Sequence, residues 1–195
     1  LYRPTEGEIL LDGHDIKALE KNSFYENTGV ALQNSFLWND TIENNIKYGK
    51  HNATEEEIKE AAVVACADEF IESLPEGYKT VIGENACKIS EGQRQRISIA
   101  RAVIRKPSIL ILDEGLSSVD AETENKIINH IKEFLKDSTV IIVSHRLSTM
   151  QKVDLIYFFT SPEKIDTGTF EGLVRNNVEF QHYLNLQEKE VKSEK

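Results

Sequence analysis

Short apolar runs alternate with helical spacings along this chain. Glu8 to Asp12 and Thr28 to Gln33 read as strands, and Asp12-Gly13 closes the first as a hairpin turn. From Ser35 to Tyr48 the pattern is mixed, with Phe36 and Trp38 followed by helical spacing from Thr41. Thr54-Glu55-Glu56-Glu57 is a capping box and predicts a helix to about Ser73, broken by Pro75 and Gly77. Ser90-Glu91-Gly92-Gln93 is a second such box and opens a helix that ends before Pro107. Ile109-Leu110-Ile111-Leu112 is a continuous apolar run, the mark of a strand buried on both faces. Asp120 is placed to cap a helix with Ile127, Ile128, Ile131, Phe134 and Leu135 on one face. Thr139 to Ser144 and Val153 to Phe159 predict a second and a third buried strand.

Strands alternating with helices in the second half predict an α/β fold with a parallel sheet. The helical middle reads as an inserted subdomain. The expected division is residues 1–34 as the N-terminal part of the core, 35–105 as the helical subdomain, 106–187 as the rest of the core, and 188–195 as a charged, frayed tail.

Composition narrows the function classes. The 195 residues suit one domain, or one domain with an insertion. A net charge of −10 argues against a nucleic-acid surface, which needs clustered Lys and Arg, but leaves room for one bound nucleotide. Cys66 and Cys87 form no C-x-x-C pair, so reduced thiols are the simple reading. No apolar stretch approaches the roughly 20 residues that span a bilayer.

The apolar run at Ile109 ends in two adjacent carboxylates, Asp113 and Glu114. Strand ends of this kind are where open α/β sheets place ligands. For an isolated pair, capping of the next helix is an equally good account, but Asp120 is the better cap. Phosphoryl transfer needs a strand-end acid to hold a metal and a group to orient water. Asp113 fits the first role and Glu114 the second. His145 ends the next strand and is either an ordinary histidine or a partner of the acids at the same sheet edge. Gln33 also ends a strand and can ligate a metal or water weakly. Ser90 to Gln93 fits both a plain cap and an anion site at a helix N-terminus. Spacing alone does not choose.

In order, Gln33, Ile89 to Arg96, Ile109 to Glu114, Ser117-Ser118-Val119-Asp120 and Ser144 to Thr149 resemble the Q-loop, signature motif, Walker B strand, D-loop and H-loop of an ABC transporter nucleotide-binding domain. Gly7 to Ile16, Thr80 to Glu84 and Thr167 to Phe170 with Leu173 resemble the exporter branch. The resemblance covers nearly the whole chain and implies a P-loop NTPase (ABC ATPase) core with an inserted helical subdomain. It implies ATP and Mg²⁺, a second nucleotide-binding domain paired head to tail, and a transmembrane domain that holds the chain at the cytoplasmic face of a membrane. By that resemblance Asp113 and Gln33 would serve Mg²⁺, Glu114 the attacking water and His145 the γ-phosphate. Ser90, Gly92 and Gln93 would bind the ATP held by the partner, and Asp120 would join the two sites. Phe36 to Trp38 would lie near the membrane domain's docking surface. Soluble ABC ATPases and a catalytically weakened regulatory copy are the alternatives. The acidic charge and the stretch from His145 to Thr149 argue against the first, and Glu114 with His145 against the second.

The pattern breaks in four places. The family's Leu-Ser-Gly-Gly-Gln is Ile89-Ser90-Glu91-Gly92-Gln93 here, so Glu91 adds a negative charge near the expected phosphate, where like charges repel. That predicts one weakened composite site. Ala86 stands where the family has Gly, and Gly115-Leu116 where it has Ala-Thr. No G-x-x-x-x-G-K-S/T loop occurs. Gly7 to Gly13 has one residue too many between its glycines and is followed by His14. The chain opens on Leu1 in mid-pattern, which predicts a natural start upstream and a fragment that binds ATP poorly and is only marginally stable.

Overall fold

Parallel pairing of three strands organises the molecule. The computed structural model describes residues 4, 6–34, 36–83, 87–161 and 163–193, with side chains to residue 187. Strands β1 (Leu10–Leu11) and β2 (His14–Asp15) form an antiparallel hairpin. Its turn residues Asp12 and Gly13 both have positive φ, 49° and 79°, as the Asp-Gly pair predicts. A short helix, α1 (Lys21–Glu26), follows, capped by the Glu20 carboxylate. It buries no residue, so no apolar periodicity announced it.

Strand β3 (Thr28–Leu32) leads to a short strand, β4 (Asp40–Thr41), and helix α2 (Ile42–Lys47). Asn45, fully buried, ties α2 to the preceding loop by accepting from Trp38 N–H (2.8 Å) and donating to Trp38 O (3.0 Å). The helix predicted from Thr54 to Ser73 is two helices, α3 (Glu55–Val64) and α4 (Asp68–Glu72). Cys66 separates them with φ 51°. Its N–H reaches Val63 O and the Ala67 N–H reaches Ala62 O, the paired bonds of a Schellman end. That end usually carries Gly, so a cysteine there hid it.

After a 3₁₀ turn at Gly77–Lys79, β5 (Val81–Ile82) pairs antiparallel with β4. Helix α5 (Glu91–Val103) starts at a complete Ser90/Gln93 capping box. It packs on β3, α2 and α3. Strand β6 (Ile109–Asp113), helix α6 (Ala121–Phe134) and strand β7 (Thr139–Val143) complete the sheet, in the order β3-β6-β7. Glu84 and Ala86 lie outside the described residues.

The sheet corrects the expectation of strands buried on both faces. Leu110 and Leu112 are fully buried with Ala31 against the helices. On the opposite face Val30, Leu32, Ile141 and Val143 are 45–53% exposed. Helix α7 (Leu147–Met150) follows β7. The predicted third strand of that sheet is instead β8 (Ile156–Ser161), paired antiparallel with β9 (Lys164–Gly168) in a separate hairpin. Only Ile156 in β8 is buried, because its alternate residues pack on a small C-terminal core. Helices α8 (Phe170–Asn176) and α9 (Val178–Ser193) close that core with Leu173 and the fully buried Phe180. Helix α9 runs through Ser193, into the stretch expected to form a charged tail. Lys and Glu are good helix formers, so charge does not stop it.

Candidate functional site

Gln33, Asp113, Glu114 and His145 meet at the carboxyl edge of the sheet. The register aligns Leu32 with Asp113 and Asp113 with Val143, so Gln33 and Glu114 leave adjacent strands at one level and His145 follows two residues beyond Val143. Glu114 turns out of the strand line with φ 47°, an uncommon conformation for a non-glycine residue and a frequent one at functional sites. Its N–H donates to Val143 O at 3.0 Å, which pins it to β7. Gln33 Nε2 donates to Glu114 Oε2 at 2.7 Å. His145 Nδ1 stands 3.8 Å from Glu114 Oε1, beyond hydrogen-bond range and close enough for attraction when the ring is charged.

Asp113 is exposed, on the open face of the sheet, and its carboxylate makes no hydrogen bond or ion pair among the described residues. Gln33 uses its amide nitrogen on Glu114, which leaves its amide oxygen as an acceptor. One carboxylate and one amide oxygen form a hard donor set of the size that suits Mg²⁺, which keeps its waters and takes substrate phosphates as further ligands. No group of three or more His, Cys, Asp and Glu side chains that could hold a metal occurs among the described residues.

Ser90 and Gln93 act together at the start of α5. Ser90 Oγ accepts from Gln93 N–H (3.2 Å) and Gln93 Oε1 from Ser90 N–H (2.9 Å). Gly92 lies against the loop after Glu114: a Cβ there would sit 2.6 Å from Ser118 O. The Glu91 carboxylate turns along the helix to Arg94 Nε at 3.0 Å. Asp120 caps α6 by accepting from Thr123 N–H at 2.9 Å, and that bond holds its carboxyl below the usual range. The stabilisation from this cap is therefore present above the unfolded carboxyl pKa and lost as pH falls through the folded one. No hydrogen bond or ion pair joins Asp120 to the acid pair among the described residues.

Residues 1–117 match the sequence model of the family described as ABC transporter. The chain belongs to the ABC transporter family. It is 44% identical over 191 residues to the ATP-dependent lipid A-core flippase of Syntrophus aciditrophicus, covering 98% of this chain and 32% of that protein. It is also 44% identical over 186 residues to the putative multidrug export ATP-binding/permease protein YgaD of Bacillus subtilis, covering 95% and 32%. The chain thus spans about a third of these relatives. A solved bacterial Atm1-family ABC exporter with ATP bound superposes with a TM-score of 0.89 at 36% identity, covering 95% of this chain and 33% of that one. The α/β expectation, an ABC ATPase fold with a parallel sheet, holds.

Four further side chains shape the ABC site. Gln95, 1% exposed, bonds the loop after Glu114. Arg146 donates to Val119 O (2.7 Å), Ser117 O (2.8 Å) and the buried Glu124 carboxylate (2.5 Å). Tyr183 OH donates to His145 O at 2.7 Å and fastens the histidine's backbone to α9. Gln95 and Arg146 lie inside the quoted motifs, where neighbours with clearer chemistry masked them. Glu124 and Tyr183 left no signal, since each contact closes only in the fold.

Proposed function

We propose that this chain is the nucleotide-binding domain of an ABC exporter and that, within the full protein, it binds and hydrolyses ATP to drive transport. The carrying observation is the cluster of Gln33, Glu114 and His145 at the carboxyl edge of the parallel sheet, beside the exposed Asp113. Asp113 and Gln33 would hold Mg²⁺, which when bound would neutralise phosphate charge. Glu114 orients and polarises the attacking water, and the Gln33 amide and the Val143 carbonyl fix it in place. His145 contacts the terminal phosphate. Ser90, Gly92 and Gln93 face the ATP of a second nucleotide-binding domain paired head to tail, with Asp120 between the sites. A transmembrane domain docks near the exposed Phe36 and Trp38 and holds the chain at the cytoplasmic face of a membrane. No helix of the described residues is itself long and apolar enough to cross one.

In this reading residues 35–105 are the helical subdomain, and residues 1–34 and 106–187 the core. The sequence holds no G-x-x-x-x-G-K-S/T loop, so the 195 residues alone hydrolyse ATP poorly. The test is Glu114→Gln in the full-length protein. ATP turnover should fall by about 10²-fold or more, the usual contribution of a general base, while Mg-ATP still binds. Unchanged turnover would overturn the reading.

A further inference from the structure

Helix α5 and the acid Glu114 are joined through one buried amide. Gln95 uses both ends of its side chain. Its Oε1 accepts from Ser118 N–H at 2.9 Å. Its Nε2 donates to Ser117 Oγ at 3.0 Å and, more weakly, to Gln33 O at 3.5 Å. These partners flank the acid on both sides. Ser117 N–H bonds back to Glu114 O at 3.0 Å, so the segment Gln95 grips is the turn that leaves Glu114. Gln33, whose main chain Gln95 touches, sends its own side chain to Glu114 Oε2 at 2.7 Å. Gln95 therefore bridges the main chain at Gln33 and the turn that leaves Glu114.

The same face of α5 makes a second contact with this turn. Gly92, three residues before Gln95, lies under Ser118 O so closely that a Cβ would come within 2.6 Å of it. Residues three apart share a helix face, so one face of α5 packs Gly92 close to the Ser118 carbonyl and binds the Ser118 N–H through Gln95.

We propose that Gln95 is a positioning residue that couples the N-terminal end of α5 to Glu114. A ligand engaged at Ser90 to Gln93 moves α5, and Gln95 transmits that movement to Gln33 and to the turn after Glu114. The acid is aligned for water only when α5 is seated. The proposal rests on the ATPase reading given above.

Two substitutions in the full-length protein separate its arms. Gln95→Glu keeps the size and can accept from Ser118 N–H and Ser117 O–H, but cannot donate to Gln33 O. Gln95→Leu loses all three bonds. Turnover is measured per bound Mg-ATP, so that a reduced folded fraction does not count as lost catalysis. Turnover per site should fall about tenfold in Gln95→Glu and further in Gln95→Leu, with ATP affinity within about threefold of wild type. Hydrogen exchange at the Ser118 amide should stay slow in Gln95→Glu and quicken in Gln95→Leu. If neither variant folds, Ser117→Ala removes one bond from the loop side and should give a smaller loss in the same direction. Wild-type turnover per site in the folded variants, or equal losses of affinity and turnover, overturns the proposal alone. A wild-type protein without ATP turnover, or one indifferent to Glu114→Gln, overturns the ATPase reading and the coupling with it.

Discussion

Glu91 shows how a side chain's direction decides the effect of its charge. At the first position of α5 it favours the helix N-terminus, and its carboxylate bends along the helix to Arg94 instead of projecting beyond the N-terminus. The pair is nearly half exposed, so it contributes no more than about 1 kcal/mol. Arg94 still offsets part of the repulsion expected when Glu91 replaces the family's glycine. Glu91→Gly in the full-length protein should therefore raise ATP-driven pairing of the two domains by less than about fivefold, near 1 kcal/mol. Sedimentation with Mg-ATP on the hydrolysis-deficient Glu114→Gln background measures this. A gain well beyond tenfold would mean that the carboxylate meets phosphate directly and that the weakened-site expectation stands in full.

At the scale of elements, Arg146 and Glu124 bind the loop after β6, helix α6 and the loop after β7 into one unit. Glu124 is fully buried, and Arg146, Ser148 and Thr149 all donate to its carboxylate. Arg146→Met leaves that charge without its cation. The loss should lie at the low end of the roughly 3–5 kcal/mol for breaking a buried pair, because Arg146 is 29% exposed. The double variant Arg146→Met with Glu124→Leu should recover part of it, as seen by urea unfolding. No recovery would locate the loss in the two carbonyl contacts of Arg146. This unit also marks where sequence stopped being legible. The acid pair and both capping boxes could be read from local chemistry, whereas His145 and Gln33 took their roles from the family resemblance. Arg146 and Glu124 meet across 22 residues, and Gln95 meets Ser117 across a similar gap. No periodicity encodes such pairs. The break at Cys66 was hidden for the opposite reason: the helix end is local, but its backbone conformation usually carries a glycine.

For the whole molecule, the uneven cover of the central sheet governs behaviour. One face is packed by helices with Leu110 and Leu112 fully buried; the other presents Val30, Leu32, Ile141 and Val143, each about half exposed. The register sets Val30, Ile111 and Ile141 in one apolar row, with Leu32 and Val143 in the next on either side of the Asp113 carboxylate. Such surfaces on a lone chain bind other apolar matter and promote association. The 195 residues expressed alone should accordingly bind an apolar fluorescent dye and self-associate. Replacing Ile141 and Val143 with Thr keeps β-branching and strand propensity while removing exposed apolar surface. That double variant should bind less dye and stay monomeric to higher concentration. Its unfolding midpoint should barely change, because neither side chain is packed against the helices. A large loss of stability would show that this face is packed in solution, and unchanged dye binding would place the reactive surface elsewhere, at the exposed Tyr157 and Phe159 of the C-terminal hairpin.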